Sequence, residues 1–214
     1  TGRLRTIEPF TELGNVAPCI IAPDKKQQLV ELIAQAVNAL GFENCATHTE
    51  LKLMADGAVS FLETAARMGG VAIAKELDEV FGLDYVDLFI GALLGDESAL
   101  PAFEEAAPLK AAASVAIMGC DSHGRPWRQS RAFLPDTIDW HALVDGLAST
   151  HIEQAQSMPF GSEIKPYDAY GGVLNYVGQA FLVAENPANL RKAAYLLLDR
   201  LEHSLPPFAS VVAA

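Results

Sequence analysis

The sequence predicts an α+β protein, an antiparallel sheet flanked by helices with a smaller α/β subdomain appended. Strand-like runs come as hairpins around Asp-Gly-type turns rather than in steady alternation with helices. Segments with helical spacing of apolar residues lie between those hairpins. Half of the 214 residues are hydrophobic, enough for one substantial core and a further module.

Along the chain, Leu4 to Phe10 and Val16 to Ala22 read as extended apolar runs, separated by Glu12-Leu13-Gly14-Asn15 and closed by Pro23. A helix follows, with Asp24 as its expected cap and Gln27 placed as in a capping box. Leu29, Leu32, Ile33, Ala36, Val37 and Leu40 recur at helical spacing, and Gly41 suits the C-terminal cap. Two strand-like runs, Cys45 to Ala55 and Ala58 to Ala66, meet at Asp56-Gly57. Beyond Gly69-Gly70, helices are expected near Val71 to Phe81 and Tyr85 to Leu94, punctuated by Gly82 and Gly95. The acidic stretch from Asp96 to Pro108 marks a boundary, giving expected domains of 1–97 and 98–214.

In the second part, Ala111 to Met118 and Trp127 to Phe133 read as another hairpin around Asp121-Ser122-His123-Gly124. A helix near Trp140 to Ala148, strands near Thr150 to Gln156 and Val173 to Ala184, and a helix near Pro187 to His203 complete the pattern.

Formal net charge is −12, with no basic block. Such a surface repels phosphate backbones and anionic lipid, so neither nucleic acid nor membrane is an expected partner. Cys19, Cys45 and Cys120 are odd in number and lack a CxxC spacing, which fits a reducing cytoplasm rather than a disulfide framework. No apolar run reaches the ~20 residues of a membrane-spanning helix.

The hairpin around Asp56-Gly57 carries the chemistry. A two-residue turn there makes opposed positions sum to 113, and Glu50 and Glu63 satisfy that sum. Opposed side chains have Cβ atoms roughly 4.5–5.5 Å apart, where two like charges destabilise a sheet. A divalent cation removes that objection, since Mg²⁺ is held by one or two carboxylates plus substrate phosphates. Alternation places His48, Glu50, Lys52 and Met54 on one face with Val59, Phe61, Glu63, Ala65 and Arg67. Arg67 can offer a bidentate fork to phosphate or carboxylate, and Gly69-Gly70 permits close backbone approach before a helix N-terminus. Spacing alone leaves two readings open. This is a solvated face with a diagonal Glu63–Lys52 ion pair, or it is a metal–phosphate site.

The run Thr47-His48-Thr49-Glu50-Leu51-Lys52, a turn, and then Glu63-Thr64-Ala65-Ala66-Arg67-Met68-Gly69-Gly70 resembles the metal-binding end of ATP-grasp enzymes. It is most similar to the carboxylate–amine ligases that join amino acids into dipeptides, over about Glu8 to Gly95. The resemblance implies that this is the C-terminal part of such a ligase, with 1–97 as the ATP-grasp C-terminal lobe. It implies ATP and Mg²⁺ (or Mn²⁺) as cofactors, Glu50 and Glu63 as metal ligands, and Arg67 as the catalytic contact to the transferred group. His48, Lys52, Gly69 and Gly70 would lie at the nucleotide and substrate. Implied partners are an amino acid or other small carboxylate, an amine, and the N-terminal half of the enzyme; a homodimer is allowed for. The chain opens Thr1-Gly2-Arg3-Leu4 without Met, so a fragment inactive by itself is expected. Many ATP-grasp enzymes have Asn where this chain has Ala65, which leaves a second metal's coordination open.

Two other readings stay beside this one: a non-catalytic metal, nucleotide or interaction module, and a different ATP-grasp reaction such as carboxylation or a purine-pathway ligation. His123 reads as an exposed turn residue, Tyr170-Gly171-Gly172 as a connection, and no GxSxG or HExxH motif is present.

Overall fold

The computed structural model describes residues 1–4, 6–7, 11–96, 98, 107–145, 150–157 and 163–208. It divides into two compact units, Thr1–Cys19 with Pro108–Ala214, and Ile20–Ala107. The N-terminal strands therefore join the later part of the chain, whereas the sequence grouped them with residues up to 97.

The first unit is built on a five-stranded antiparallel sheet. Its spatial order is β1 (Gly2–Arg3), β4 (Gly14–Ala17), β7 (Ala111–Ile117), β11 (Gly178–Ala184) and β9 (Thr150–Ser157). Two short pairs accompany it: β2 (Thr6–Ile7) with β3 (Thr11–Glu12), and β8 (Arg131–Ala132) with β10 (Glu163–Ile164). Among the described residues every strand pair is antiparallel, in keeping with the α+β reading. The central strand β7 reads AAASVAI and is buried at all of its positions. Its partners are β4 and β11.

The hairpin expected between Ala111–Met118 and Trp127–Phe133 does not form. β7 is taken on both edges, and between the two segments only an isolated Cys120–Pro126 bridge occurs. Helix α4 (Pro187–Ser204) packs across β7 and β11, burying Leu190, Ala193, Ala194, Leu197, Leu198 and Leu201 at helical spacing. Asn186 caps it by accepting from the Asn189 N–H at 2.9 Å, and Pro187 occupies the first turn. Around Trp140 to Ala148 the described part holds only a short 3₁₀ turn, Ala142–Val144; residues 146–149 lie outside the described residues. The strand expected from Val173 starts at Gly178, after a 3₁₀ turn at Gly172–Asn175.

In the second unit, α1 (Pro23–Leu40) starts with Pro23 in its first turn and ends at Gly41 in the left-handed conformation (φ 67°). Asp24 does not cap it: the N-cap position is Ala22, and no side chain closes that end. Strands β5 (His48–Leu53) and β6 (Val59–Ala65) form a two-stranded sheet. Helices α2 (Ile73–Phe81) and α3 (Tyr85–Leu94) follow, each ending at a left-handed glycine, Gly82 and Gly95. Asp84 caps α3, accepting from the Asp87 N–H at 2.9 Å.

Among the described residues, the hydrophobic core cluster lies in the first unit, from Leu4 through Phe133 and Ile164 to Leu205. Among the described residues of the second unit, the buried apolar side chains are Ala72 and Val80.

Candidate functional site

β5 and β6 form because β-branched and aromatic residues are spread along two short runs that a tight turn can join. The turn is not the two-residue type that the sequence suggested. The Met54 N–H donates to the Ala58 carbonyl at 2.8 Å and the Gly57 N–H to the Met54 carbonyl at 2.9 Å, leaving a three-residue loop of Ala55, Asp56 and Gly57. Gly57 alone of the three has positive φ, at 83°, where a side-chain-bearing residue is strained. Asp56 accepts from the Ala58 N–H at 2.9 Å, and Lys25 on α1 donates to the Gly57 carbonyl at 2.9 Å.

This loop sets paired positions to sum to 112, as in Leu53–Val59, Lys52–Ser60 and Leu51–Phe61. A bulge between Glu50 and Leu51 then leaves Leu62 as the extra residue. Beyond it the sum is 113, in Glu50–Glu63, Thr49–Thr64 and His48–Ala65. Glu50 and Glu63 are thus directly opposed, as expected. The face assignment nearer the turn changes: Phe61 and Val59 pair with Leu51 and Leu53, and Ser60 rather than Phe61 sits across from Lys52.

Around the two carboxylates, His48 Nε2 lies 3.3 Å from Glu50 Oε1. On the opposite face the Thr49 and Thr64 hydroxyls hydrogen-bond across the strands at 2.8 Å. The diagonal Glu63–Lys52 ion pair is not formed; both side chains are exposed. Arg67 is also exposed. Its backbone N–H donates to Ala65 at 2.9 Å, and its Nη1 donates to the Met68 carbonyl at 2.8 Å. That bond folds the guanidinium back over its own loop while leaving most of the fork available.

Gly69 sits against Ile73: a Cβ there would lie 2.8 Å from Ile73 Cγ2, so the loop approaches the first turn of α2 too closely for any side chain. A Cβ on Gly70 would meet nothing within 4 Å. Val71 has φ of 56°, a genuine outlier for a β-branched residue, and no spacing argument could have found it. Strain of this kind collects at functional loops.

Among the described residues, no group of three His, Cys, Asp or Glu side chains is gathered to hold a metal ion. The donor set on offer is the Glu50–Glu63 pair with His48 beside it. That suits a hard divalent cation whose remaining ligands are phosphate oxygens and water, and does not suit a closed all-protein cage.

No family model matches the chain. Among curated proteins it is 41% identical over 93 residues to the alanine–anticapsin ligase of Bacillus subtilis, a match covering 43% of this chain and 20% of that protein. The Bacillus amyloliquefaciens alanine–anticapsin ligase is 40% identical over the same length. The match spans about a fifth of the length of these curated relatives. Among solved structures, phosphoribosylglycinamide synthetase from Anaerococcus prevotii aligns with a TM-score of 0.66 at 16% identity, covering 96% of this chain and 47% of that one. The L-amino acid ligase from Bacillus licheniformis aligns with a TM-score of 0.65 at 24% identity, covering 92% and 46%. Over the parts aligned, the chain shares the mixed helix and antiparallel-sheet fold of these two structures.

Proposed function

We propose that this chain is the metal-binding part of an ATP-dependent carboxylate–amine ligase that forms an amide through an acyl phosphate. The observation that carries the reading is the opposition of Glu50 and Glu63 across a bulged hairpin. The similarity to alanine–anticapsin ligases supports it.

In the reaction, a substrate carboxylate attacks the terminal phosphorus of ATP, giving an acyl phosphate and ADP. An amine then attacks the acyl carbon, and phosphate leaves. Mg²⁺ or Mn²⁺, when bound, neutralises charge on the transferring phosphoryl group, where positioning and electrostatics supply most of the rate. Glu50 and Glu63 would hold that ion from opposite strands. His48 would fix the orientation of the Glu50 carboxylate from 3.3 Å. Arg67, once released from Met68, has the planar fork to meet the acyl phosphate or the substrate carboxylate bidentately. Lys52, exposed and without an ion pair, stands beside Ser60 on the Glu50 side of the sheet and would meet a phosphate oxygen. Gly69 and Gly70 would line the substrate with backbone.

The substrates are an amino acid or other small carboxylate and an amine. The compartment is the cytoplasm, in keeping with three free cysteines.

The decisive measurement is Mg²⁺-dependent ADP release with paired amino acids, on this chain combined with the rest of a ligase. Glu63→Gln should lower it at least a hundredfold; unchanged release sinks the reading. The 214-residue chain by itself should show no turnover.

A further inference from the structure

A cleft of about 480 Å³ opens on the first unit, lined among others by Asp121, Arg125, Trp127, Arg128, Glu202 and Phe208. Its size falls within the roughly 300–1,000 Å³ of small-molecule sites. No residue of the β5–β6 hairpin lines it. The loop that follows β7, the last turn of α4 and the segment after that helix build it. Asp121 shapes the loop, accepting from the His123 and Arg125 N–H groups at 2.8 and 2.9 Å and from Arg125 Nε at 2.5 Å.

One wall is aromatic. Trp127 is buried, and Phe208 meets it edge-on with ring centres 5.6 Å apart and an interplanar angle of 88°. Arg131 stands over both rings and fixes the wall from behind. The Trp127 indole N–H is shut off from solvent and has no hydrogen-bond partner among the described residues. A buried donor left unmade costs about 1–3 kcal/mol, so this wall serves something besides packing.

The charges narrow the ligand. Asp121 and Arg125 neutralise one another. Among the described residues Arg128 has no hydrogen bond or ion pair, and Glu202 accepts from the Ser122 N–H at a long 3.4 Å. A cation and an anion thus line one cleft without pairing with each other. Each gains from a counter-charge, and a ligand that carries both supplies them together. A phosphate-rich ligand would meet Asp121 and Glu202, and a polyamine would meet the arginines. A zwitterion finds a partner at each end. A flat apolar side chain would complete the contact against the aromatic wall.

We propose that this cleft binds an α-amino acid or dipeptide as its zwitterion, with the carboxylate on Arg128, the ammonium on Glu202 and an aromatic side chain against Trp127 and Phe208. Such binding does not depend on the ligase reading, because the first unit supplies every group. On that reading the ligand shares the chemistry of substrate and product, which makes the cleft an effector site.

The test titrates L-phenylalanine, and then L-alanyl-L-phenylalanine, into the 214-residue chain while the Trp127 indole N–H is followed by NMR. Trp140→Phe identifies which of the two indole signals belongs to Trp127. The expected result is a saturable shift of that signal, with affinity weakened at least tenfold by Arg128→Ala. 3-Phenylpropionate lacks the ammonium and phenethylamine lacks the carboxylate, so each should bind at least tenfold more weakly than phenylalanine. Glu202→Gln should erase the preference over 3-phenylpropionate, and Arg128→Ala the preference over phenethylamine, a paired pattern that misfolding cannot produce. Three results overturn the inference: neither ligand moves the Trp127 signal, Arg128→Ala binds as tightly as the parent, or both one-charge analogues bind as tightly as phenylalanine. Glu63→Gln, the variant that tests the ligase reading, should leave the titration unchanged, so either can fail without the other.

Discussion

Glu50 lies directly across the hairpin from Glu63 because two irregularities cancel. The three-residue loop at Ala55-Asp56-Gly57 advances the register by one residue, and the bulge at Leu62 restores it. A regular ladder growing from that loop would set Glu50 against Leu62 and turn Glu63 away. The bulge is therefore what brings the two acids together.

Deleting Leu62 should straighten β6 and still leave Glu50 opposed to Glu63, since the loop register then reaches the pair without correction. Inserting one residue after Leu62 should separate them. Cross-strand proton contacts at Thr49–Thr64, flanking the pair, report which register holds. Loss of those contacts on deletion of Leu62 would show that the bulge has some other role.

Opposed carboxylates repel. Without a divalent cation, Glu63→Gln should stabilise the hairpin by about 0.2–1 kcal/mol, the usual size of a cross-strand pair effect. With Mn²⁺ and a nucleotide present the order should invert, the parent gaining and the variant not. Amide exchange over 48–65, with and without chelator, measures both arms. A parent hairpin that is the more stable of the two in chelator would mean that His48, 3.3 Å from Glu50, already offsets the repulsion.

Cys120 is buried between the sheet and the turn at Asp121. Burial first, and then the nearby Asp121 and Glu202 charges, push its thiol from 9.0 up to about 12. At pH 8 it should resist alkylation in the folded protein while the exposed Cys19 reacts. Because the folded value is the raised one, its contribution to stability is complete below pH 9 and is lost as pH climbs towards 12. Timed alkylation with mass analysis checks the first statement, and melting between pH 8.5 and 10.5 checks the second.

Arg131 is a buried cation whose printed hydrogen bonds go to backbone carbonyls, with the Glu202 charge nearby. It donates from Nε to the Pro206 carbonyl at 2.9 Å and from Nη2 to the Leu205 carbonyl at 2.8 Å. Its guanidinium carbon stands 5.1 Å from the Trp127 ring centre and 4.8 Å from that of Phe208. Arg131→Ala should cost about 2–4 kcal/mol, from two charge-assisted bonds and the lost stacking. Arg131→Lys should recover little, because an ammonium cannot make the planar, forked contact. Chemical denaturation of the first unit would read both.

Much of this was legible in the sequence, because it depends on local chemistry. Glycines at 41, 82 and 95 end three helices in the left-handed conformation that only glycine adopts cheaply. The helix expected near Pro187 to His203 forms as α4, opened by Pro187. The Glu50–Glu63 pairing was legible for a reason that was only partly right, since an assumed two-residue turn happened to give the register that the loop and bulge produce together. What was not legible is long-range. Nothing local says that β4 pairs with β7 across almost a hundred residues, or that β7 prefers β11 to the Trp127–Phe133 segment. Alanine-rich AAASVAI reads as a strand in any position, and only the helix packed over it shows why its side chains must be small. Asp24 likewise looked like a cap because its type is right; Pro23 had already opened the helix one residue earlier.

The confinement of the described residues' core cluster to the first unit has a consequence for how such a protein can change over generations. The side chains that keep the sheet folded, from Leu4 to Leu205, are different residues from those expected to touch metal, phosphate and substrate. Substitutions at separated sites act nearly independently. Drift around Arg67 to Val71 can therefore explore new chemistry while the five-stranded platform keeps its tolerance for error, and the two parts of the chain can evolve at different rates.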